Sequence, residues 1–180
     1  MQSMPFKSIL LLGFYHPRYI NALLENGKVL EDQGFAVTYL MADKHYKEEV
    51  LDHLLRPYDL VIYFGHGEPG AIGGYRSICQ DELPNSNQRQ QRTVALLCCS
   101  SLEIAEQMSL GEQFLSNGLA TKVVGYRGKI SFEKNKKMLL NYCSSLSIEK
   151  TIRPPEIESL AKKCTIENLG ILIHEKKREH

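Results

Sequence analysis

The sequence predicts an α/β fold, a three-layer α/β/α sandwich in which helices cover both faces of a mostly parallel sheet. Short apolar runs alternate with amphipathic segments along most of the chain. The apolar runs are continuous rather than alternating, as in strands that are buried on both faces. The 180 residues, of which 43% are hydrophobic, are enough for a sizeable core. We expect a single domain over residues 1–180, with its core at about 5–150.

The first four elements are predicted from strand length, helical spacing and the residues that end them. KSILLLG (7–13) is an apolar run of strand length that ends at a glycine. Residues 18–33 carry leucines at helical spacing, and Gly34 follows them as a helix-ending glycine. FAVTYLM (35–41) is β-branched and aromatic, which favours a strand. The amphipathic pattern over 45–57 ends at a proline and predicts a helix.

Two further apolar runs are the strongest strand signals, and a long polar stretch separates them. DLVIYFGHG (59–67) and TVALLCCSS (93–101) are continuous and apolar until their last few residues. Residues 68–92 are rich in Gly, Pro, Asn, Gln and Arg, and they predict a long loop or hairpin. Long loops in compact domains are often functional.

The rest of the pattern predicts a helix, a strand and a helix, followed by a charged tail. LEIAEQMSLGEQFLSNG (102–118) is predicted to be a helix that ends at a glycine. TKVVGY (121–126) is a short apolar strand, and EKNKKMLLNYCSSL (133–146) has helical spacing. In the tail, at about 151–180, we expect one helix, a short apolar piece and a solvated charged end.

Composition and charge argue against several kinds of protein. A net charge of +1 is unlike a dedicated nucleic-acid binder, which usually carries a basic excess. No apolar run reaches the roughly 18 residues of a membrane span, and the start of the chain lacks the cleavage site of a secretory signal. We therefore expect a cytoplasmic protein with reduced cysteines and with neither a membrane nor a nucleic-acid partner.

The cysteines do not form a metal-binding pattern. Cys98 and Cys99 are adjacent and cannot easily bind one ion together, and the other three are scattered, at Cys79, Cys143 and Cys164. GHGEPG (65–70) has the glycine spacing of a nucleotide-binding loop, but a proline before the third glycine disfavours the helix that such a loop requires. We therefore predict no metal and no cofactor.

Reactive side chains follow the two strongest strands, where open α/β sheets bind their ligands. His66 follows LVIYFG, and Cys98 and Cys99 follow TVALL. If the two strands are neighbours, their ends lie about 4.8 Å apart, so that an imidazole base can reach a thiol nucleophile. We also expect the helix predicted from Leu102 to point its N-terminus at the thiol. The N–H groups of Gly67 and Cys99 are candidates for an oxyanion hole.

The same segments resemble a known family. DLVIYFGHGEPG (59–70) resembles the strand ending in His-Gly of the caspase-like cysteine peptidases of clan CD. VALLCCSSLE (94–103) is similar to their second signature, an apolar strand followed by a small residue, cysteine, any residue and serine. LGEQFLSNGLATKVVGYRGKISF (110–132) resembles the helix, turn and strand that follow in the CHAT branch, relatives of separase, gingipain and caspases. The resemblance covers about residues 5–150.

The resemblance implies a hydrolase, namely a cysteine endopeptidase that cleaves protein or peptide substrates. It implies that His66 is the catalytic histidine, Gly67 the oxyanion-hole glycine and Cys99 the nucleophile. This chemistry requires neither an organic cofactor nor a metal. An activating partner protein is a further expectation, because caspase-like domains often work beside another domain or chain.

Three alternatives stay open. In the other register Cys98 is the nucleophile, because only one of two consecutive strand side chains can face the site. Leu102 stands where the family often has glycine, which leaves room for a catalytically inactive interaction or scaffold domain of the same fold. A flavodoxin-like domain that binds a small ligand is the third alternative.

The sequence gives two opposite predictions for the charge of the substrate side chain that the protein prefers. Arg127 lies just beyond a strand, where the resemblance to caspases implies a pocket for an acidic side chain. Glu68, Asp81 and Glu82 lie in the loop after His66 and favour basic side chains instead. Arg127 and Glu68 are therefore both candidates for the substrate pocket.

Overall fold

A computed structural model describes residues 7–14, 16–41, 46–73, 77–150 and 152–175. The first residues of the predicted core (5–6), the first residue of the helix predicted at 45–57 and the charged end of the tail (176–180) lie outside the described residues. A short 3-10 helix covers Gln80–Glu82. The strands and α-helices, in chain order, are β1 (Ser8–Gly13), α1 (Pro17–Asp32), β2 (Ala36–Leu40), α2 (Tyr46–His53), β3 (Leu60–Phe64), β4 (Gly67–Glu68), β5 (Ala71–Ile72), β6 (Ile78–Cys79), β7 (Thr93–Leu97), β8 (Ile104–Ala105), β9 (Met108–Ser109), α3 (Leu110–Ser116), β10 (Lys122–Tyr126), α4 (Phe132–Ser145), α5 (Pro154–Lys163) and β11 (Leu169–Ile173).

The main sheet has the strand order β2-β1-β3-β7-β10-β11, which makes six strands among the described residues. All neighbouring pairs are parallel except β10 and β11, which pair antiparallel. Helices α1, α4 and α5 cover one face of the sheet, and α2 and α3 cover the other. The predicted three-layer sandwich with a mostly parallel sheet is confirmed.

Side chains of the central strands alternate between two apolar layers. In β1, Ile9 and Leu11 pack into the layer of α1, α4 and α5, whereas Leu10 and Leu12 pack into the layer of α2 and α3. Every residue of β3 is at most 1% exposed. The strands are apolar without interruption because both of their faces are covered by helices. None of the helices within the described ranges is long and apolar enough to cross a membrane.

The tail contributes a helix and the last strand of the sheet. Ile157, Leu160 and Ala161 of α5 are buried in the same layer as α1 and α4. The short apolar piece predicted from the sequence is β11, which pairs with β10 from Lys122↔Ile173 to Tyr126↔Leu169. The antiparallel direction of β11 follows from the chain's return along this edge after α5.

The helix predicted at 102–118 is wrong over its first half. Residues 104–109 form a hairpin of β8 and β9, and α3 begins only at Leu110, with Ser109 as its N-cap. Glu106 has φ 63° at the hairpin turn, and the Gln80 side chain donates hydrogen bonds to the carbonyls of Ala105 and Met108 at 3.0 and 3.3 Å. The helix N-terminus expected beside the cysteines at Leu102 is therefore absent from this described stretch.

Candidate functional site

The two strands that carry the candidate histidine and cysteine are neighbours, which is the condition that the sequence argument required. β3 and β7 pair in parallel, and their last partners are Phe64 and Leu97. The N–H of Gly65 continues this pairing with a long bond of 3.4 Å to the carbonyl of Leu97. His66 and Cys99 therefore occupy equivalent positions, each two residues beyond the last paired residue of adjacent strands.

Gly67 brings the histidine turn against the cysteine turn. A methyl group at this position would lie 2.7 Å from both the Cys98 sulfur and the Cys99 carbonyl oxygen. Contacts this short are not tolerated, so glycine is required for the two turns to approach each other.

The loop after the histidine folds into a small sheet that fixes the backbone of His66. β4 and β5 pair antiparallel through a turn whose third residue, Gly70, has φ 80°, and β5 pairs with β6. The N–H of Gly73 donates to the His66 carbonyl at 2.9 Å, and the Tyr63 hydroxyl lies 2.7 Å from the same oxygen. Gly70 thus leads into a strand rather than the helix of a nucleotide-binding loop.

Aromatic rings surround the imidazole of His66, which is exposed on its remaining side. The edges of Phe14 and Tyr19 meet it with ring centroids 4.6 and 5.1 Å away. Partial burial lowers the pKa of His66, and the positive charges of Arg18 and His16 lower it further. A lowered pKa keeps the imidazole neutral near pH 7, the form in which it accepts a proton.

The two adjacent cysteines have different environments. Cys98 is fully buried, and burial raises the pKa of its thiol. Cys99 is partly exposed, and its sulfur accepts a hydrogen bond from the N–H of Ile130 at 3.4 Å and lies 3.5 Å from the Ile130 carbonyl oxygen. A buried thiol with a raised pKa is inert, so Cys99 is the accessible sulfur of the pair.

Ser101 anchors the turn that carries the cysteines. Its hydroxyl is fully buried, donates to the Leu96 carbonyl at 3.0 Å and accepts from the Tyr126 N–H at 3.1 Å. Ser100 adopts φ 61° within the same turn. The serine of the sequence motif therefore has a structural role, because it ties the turn to both β7 and β10.

A groove of about 430 Å³ lies beside Ile130, and Cys99 itself is not one of its lining residues. Residues 129–131 and Lys134 line one side of it, and residues 165–168 line the other. Ile130 belongs to the lining and also contacts the sulfur. Sequence reasoning missed this groove, because its two sides come from separate segments with no motif of their own.

The two candidate substrate-pocket residues lie on different parts of the structure. The Arg127 side chain is exposed and donates to the Leu169 carbonyl of β11 at 3.3 Å, and its N–H donates to the Asn168 carbonyl. Glu68 is exposed on the small sheet in β4. The contacts of Arg127 are therefore with the β11 end of the sheet.

The remaining acidic candidates form an exposed group with a cysteine. The thiol of Cys79 and the carboxylates of Asp81 and Glu82 place one ligand-type atom each within 4.8 Å of one another. Lys47 forms an ion pair with Glu82, which lowers the pKa of that carboxyl. The lysine supplies the positive charge that a bound cation would bring, so this group needs no metal to explain it.

Comparison with known proteins places the chain in a family. The model of peptidase family C25 matches residues 15–178, a range that includes both strand tips and β11. The chain belongs to peptidase family C25. None of the curated proteins compared with the chain matches it. The sequence prediction of a caspase-like peptidase of clan CD is confirmed at this level, whereas the narrower placement in the CHAT branch stays a prediction.

Solved structures similar to this C25-family chain share its fold. A crystal structure of the Arg-specific cysteine proteinase gingipain R (RgpB) superposes with a TM-score of 0.65 at 11% identity, over 89% of this chain and 43% of that one. The complex of Porphyromonas gingivalis RgpB pro- and mature domains gives 0.65 at 12% identity, over 89% and 44%. A structure described as a protease gives 0.59 at 15% identity, over 78% and 33%. The chain spans less than half the length of each of these proteins.

Proposed function

We propose that this C25-family chain is a cysteine endopeptidase domain in which His66 and Cys99 form a catalytic dyad. The observation that carries the proposal is the register of β3 and β7, which ends at Phe64↔Leu97 and leaves the two side chains at equivalent positions beyond adjacent strands. The accessibility of Cys99 and the lowered pKa of His66 support the same assignment.

The proposed reaction proceeds in two steps. The Cys99 thiolate attacks the carbonyl carbon of the peptide bond, and the tetrahedral intermediate collapses to a thioester as protonated His66 gives its proton to the leaving amine. The proton that His66 gives to the amine is the one it first takes from the Cys99 thiol, which forms the attacking thiolate. His66 then takes a proton from water, which attacks the thioester carbonyl. Release of the carboxylic acid returns the sulfur and the imidazole to their starting state.

The N–H groups of Gly67 and Cys99 are proposed to hold the oxyanion of the tetrahedral intermediate. In an antiparallel ladder, directly bonded and non-bonded pairs alternate. The Gly73 N–H bonds to His66, so the next pair, Gly67 and Ile72, is the non-bonded kind. This alternation turns the Gly67 N–H away from β5 and supports its availability to a substrate.

Protein or peptide substrates are proposed to lie in the groove beside Ile130. Lys129 and Lys134 line this groove together with one acidic residue, Glu167. This excess of positive charge favours acidic over basic substrate side chains. The complex of RgpB pro- and mature domains makes a pro-segment or another partner chain a reasonable regulator here as well.

Cleavage of a diverse fluorogenic peptide library tests the proposed function. We expect the wild type and Cys98→Ala to cleave the same peptides, and Cys99→Ala to be inactive. His66→Ala should lower the rate by about 10²- to 10⁴-fold, because it removes the acid and base. Activity in Cys99→Ala that disappears in Cys98→Ala would overturn the choice of nucleophile. A folded wild type that cleaves no peptide would favour a scaffold domain of the same fold.

A further inference from the structure

We infer that Asn135 of α4 is a positioning residue for Cys99, and that it acts through the carbonyl group of Leu97. The inference rests on the proposed role of Cys99 as the nucleophile. Asn135 lies outside every sequence motif and was not a candidate from the sequence. Its side chain is only 3% exposed.

The end of β7 is held weakly by its neighbours in the sheet. The pairing of β10 with β7 ends at Val124↔Ala95, although β7 continues to Leu97. On the other side, the Leu97 carbonyl receives only the long 3.4 Å bond from the Gly65 N–H. Because Cys99 follows Leu97 by two residues, any freedom at this strand end is passed on to the sulfur.

Asn135 supplies a short hydrogen bond to the Leu97 carbonyl, which otherwise receives only the long bond from Gly65. Its Nδ2 donates to the Leu97 carbonyl oxygen at 2.8 Å. The fully buried Tyr126 hydroxyl donates to Asn135 Oδ1 at 2.8 Å. The Leu97 carbonyl oxygen can only accept, so the amide nitrogen must face it, and the bond from the Tyr126 hydroxyl to the amide oxygen holds the side chain in this orientation.

The same segment of chain also contacts the sulfur directly. Ile130 donates its N–H to the Cys99 sulfur at 3.4 Å, and α4 starts two residues later at Phe132. The Asn135 N–H bonds to the Ser131 carbonyl at 3.0 Å, which ties Asn135 to this entry into the helix. Asn135 therefore sets the distance between the cysteine turn and Ile130, and with it the position of the sulfur.

Asn135→Ala in the full chain tests this role through two readouts. The first is the rate at which iodoacetamide alkylates Cys99, followed by mass spectrometry of the cysteine-containing peptide. The second is the separation of kcat from KM in peptide cleavage. We expect kcat to fall about tenfold or more, because small displacements of a reacting group are costly, with KM within about twofold of wild type. Alkylation of Cys99 should change severalfold, because the sulfur loses its fixed position beside the N–H of Ile130.

Asn26→Ala is the matched control. Asn26 is equally buried, at 3% exposed, and its Nδ2 donates to the Ala22 carbonyl at 2.7 Å in α1. This variant loses one buried side-chain hydrogen bond where Asn135→Ala loses two, so its melting temperature should fall by less. Its kcat and its rate of Cys99 alkylation should stay within twofold of wild type.

Tyr126→Phe keeps the test decisive if Asn135→Ala does not fold. The change removes only the hydroxyl that orients the amide, so we expect a smaller effect in the same direction. In a folded variant that carries both changes, kcat and the rate of Cys99 alkylation should equal those of Asn135→Ala alone. The inference is overturned if folded Asn135→Ala has the same kcat and the same rate of Cys99 alkylation as the wild type. If Asn135→Ala does not fold, the same result in Tyr126→Phe overturns it. If the wild type cleaves no peptide, the proposed function is wrong. The alkylation rates of Cys99 still test whether Asn135 positions the sulfur.

Discussion

Cys98 and Cys99 are adjacent in the sequence, but the fold leaves only Cys99 of the two partly exposed. Cys98 packs in the layer of α2 and α3, and burial raises the pKa of its thiol. Cys99 reaches the surface beside Ile130. The sequence could state that only one of the two faces the site, because consecutive side chains alternate. The choice between them depends on packing, which the structure supplies.

The environment of His66 leads to a prediction about pH. Partial burial is the largest cause of its lowered pKa, and the charges of Arg18 and His16 add to it. Lowering this pKa extends the neutral, proton-accepting form of the imidazole to lower pH. Arg18→Gln removes one of these charges, so the pKa of His66 should rise and the acidic limb of the pH–rate profile should move to higher pH.

An NMR titration of the His66 ring in both proteins measures this shift. Arg56→Gln is the control, because Arg56 is exposed just beyond the end of α2 and pairs with Asp52. Its His66 titration should match wild type. An unchanged or lower pKa of His66 in Arg18→Gln would contradict the electrostatic account.

At the scale of elements, the hairpin of β8 and β9 marks where local sequence pattern fails. The segment 102–118 has helical spacing, but Gln80 holds the backbone of Ala105 and Met108 from a position 25 residues before Ala105. Local pattern cannot report a hydrogen bond from so far along the chain. Ser109 then caps α3 by accepting the N–H of Glu112. This signal was present in the sequence and marks the true start of the helix.

The end of α5 contains a strained residue whose replacement should stabilise the protein. Thr165 follows the C-cap with φ 58°, and the N–H of Ile166 bonds back to the Ala161 carbonyl. A β-branched residue in this left-handed region costs about 1 kcal/mol, and glycine avoids most of that cost. Thr165→Gly should therefore raise the free energy of unfolding by about 1 kcal/mol.

Urea denaturation of Thr165→Gly and Thr165→Ala measures the gain. Alanine removes the branched side chain but keeps a Cβ in the left-handed conformation, so its gain should be smaller. The explanation is wrong if the alanine variant is as stable as the glycine variant or more so.

At the scale of the whole molecule, the sequence predicted the layers of the fold but did not predict the order of the strands. Continuous apolar runs identify strands buried on both faces, and the long runs at β1, β3 and β7 are the central strands. The placement of His66 and Cys99 beyond the ends of two strands could be predicted, because continuous apolar runs mark where the strands end. Asn135 and the groove beside Ile130 could not, because they join segments far apart in sequence.

The tail forms part of the core and of the main sheet, which gives a prediction about truncation. β11 covers the open edge of β10, and α5 buries Ile157, Leu160 and Ala161 against the other helices of its layer. Removing residues 154–180 exposes this apolar surface and the β10 edge. We expect the truncated chain to lose its cooperative thermal unfolding transition by circular dichroism. A truncated chain that melts cooperatively at the temperature of the full chain would contradict this view of the core.

The central claim is that Cys99 is a nucleophile activated by His66. A panel of peptidyl acyloxymethyl ketones, which react with the nucleophile of cysteine peptidases, tests it most directly when the modified residue is mapped by mass spectrometry. We expect Cys99 to be modified in the wild type and in Cys98→Ala. Modification should be much slower in His66→Ala and absent in Cys99→Ala. Modification at Cys98, or equal rates at Cys99 in the wild type and His66→Ala, would contradict it.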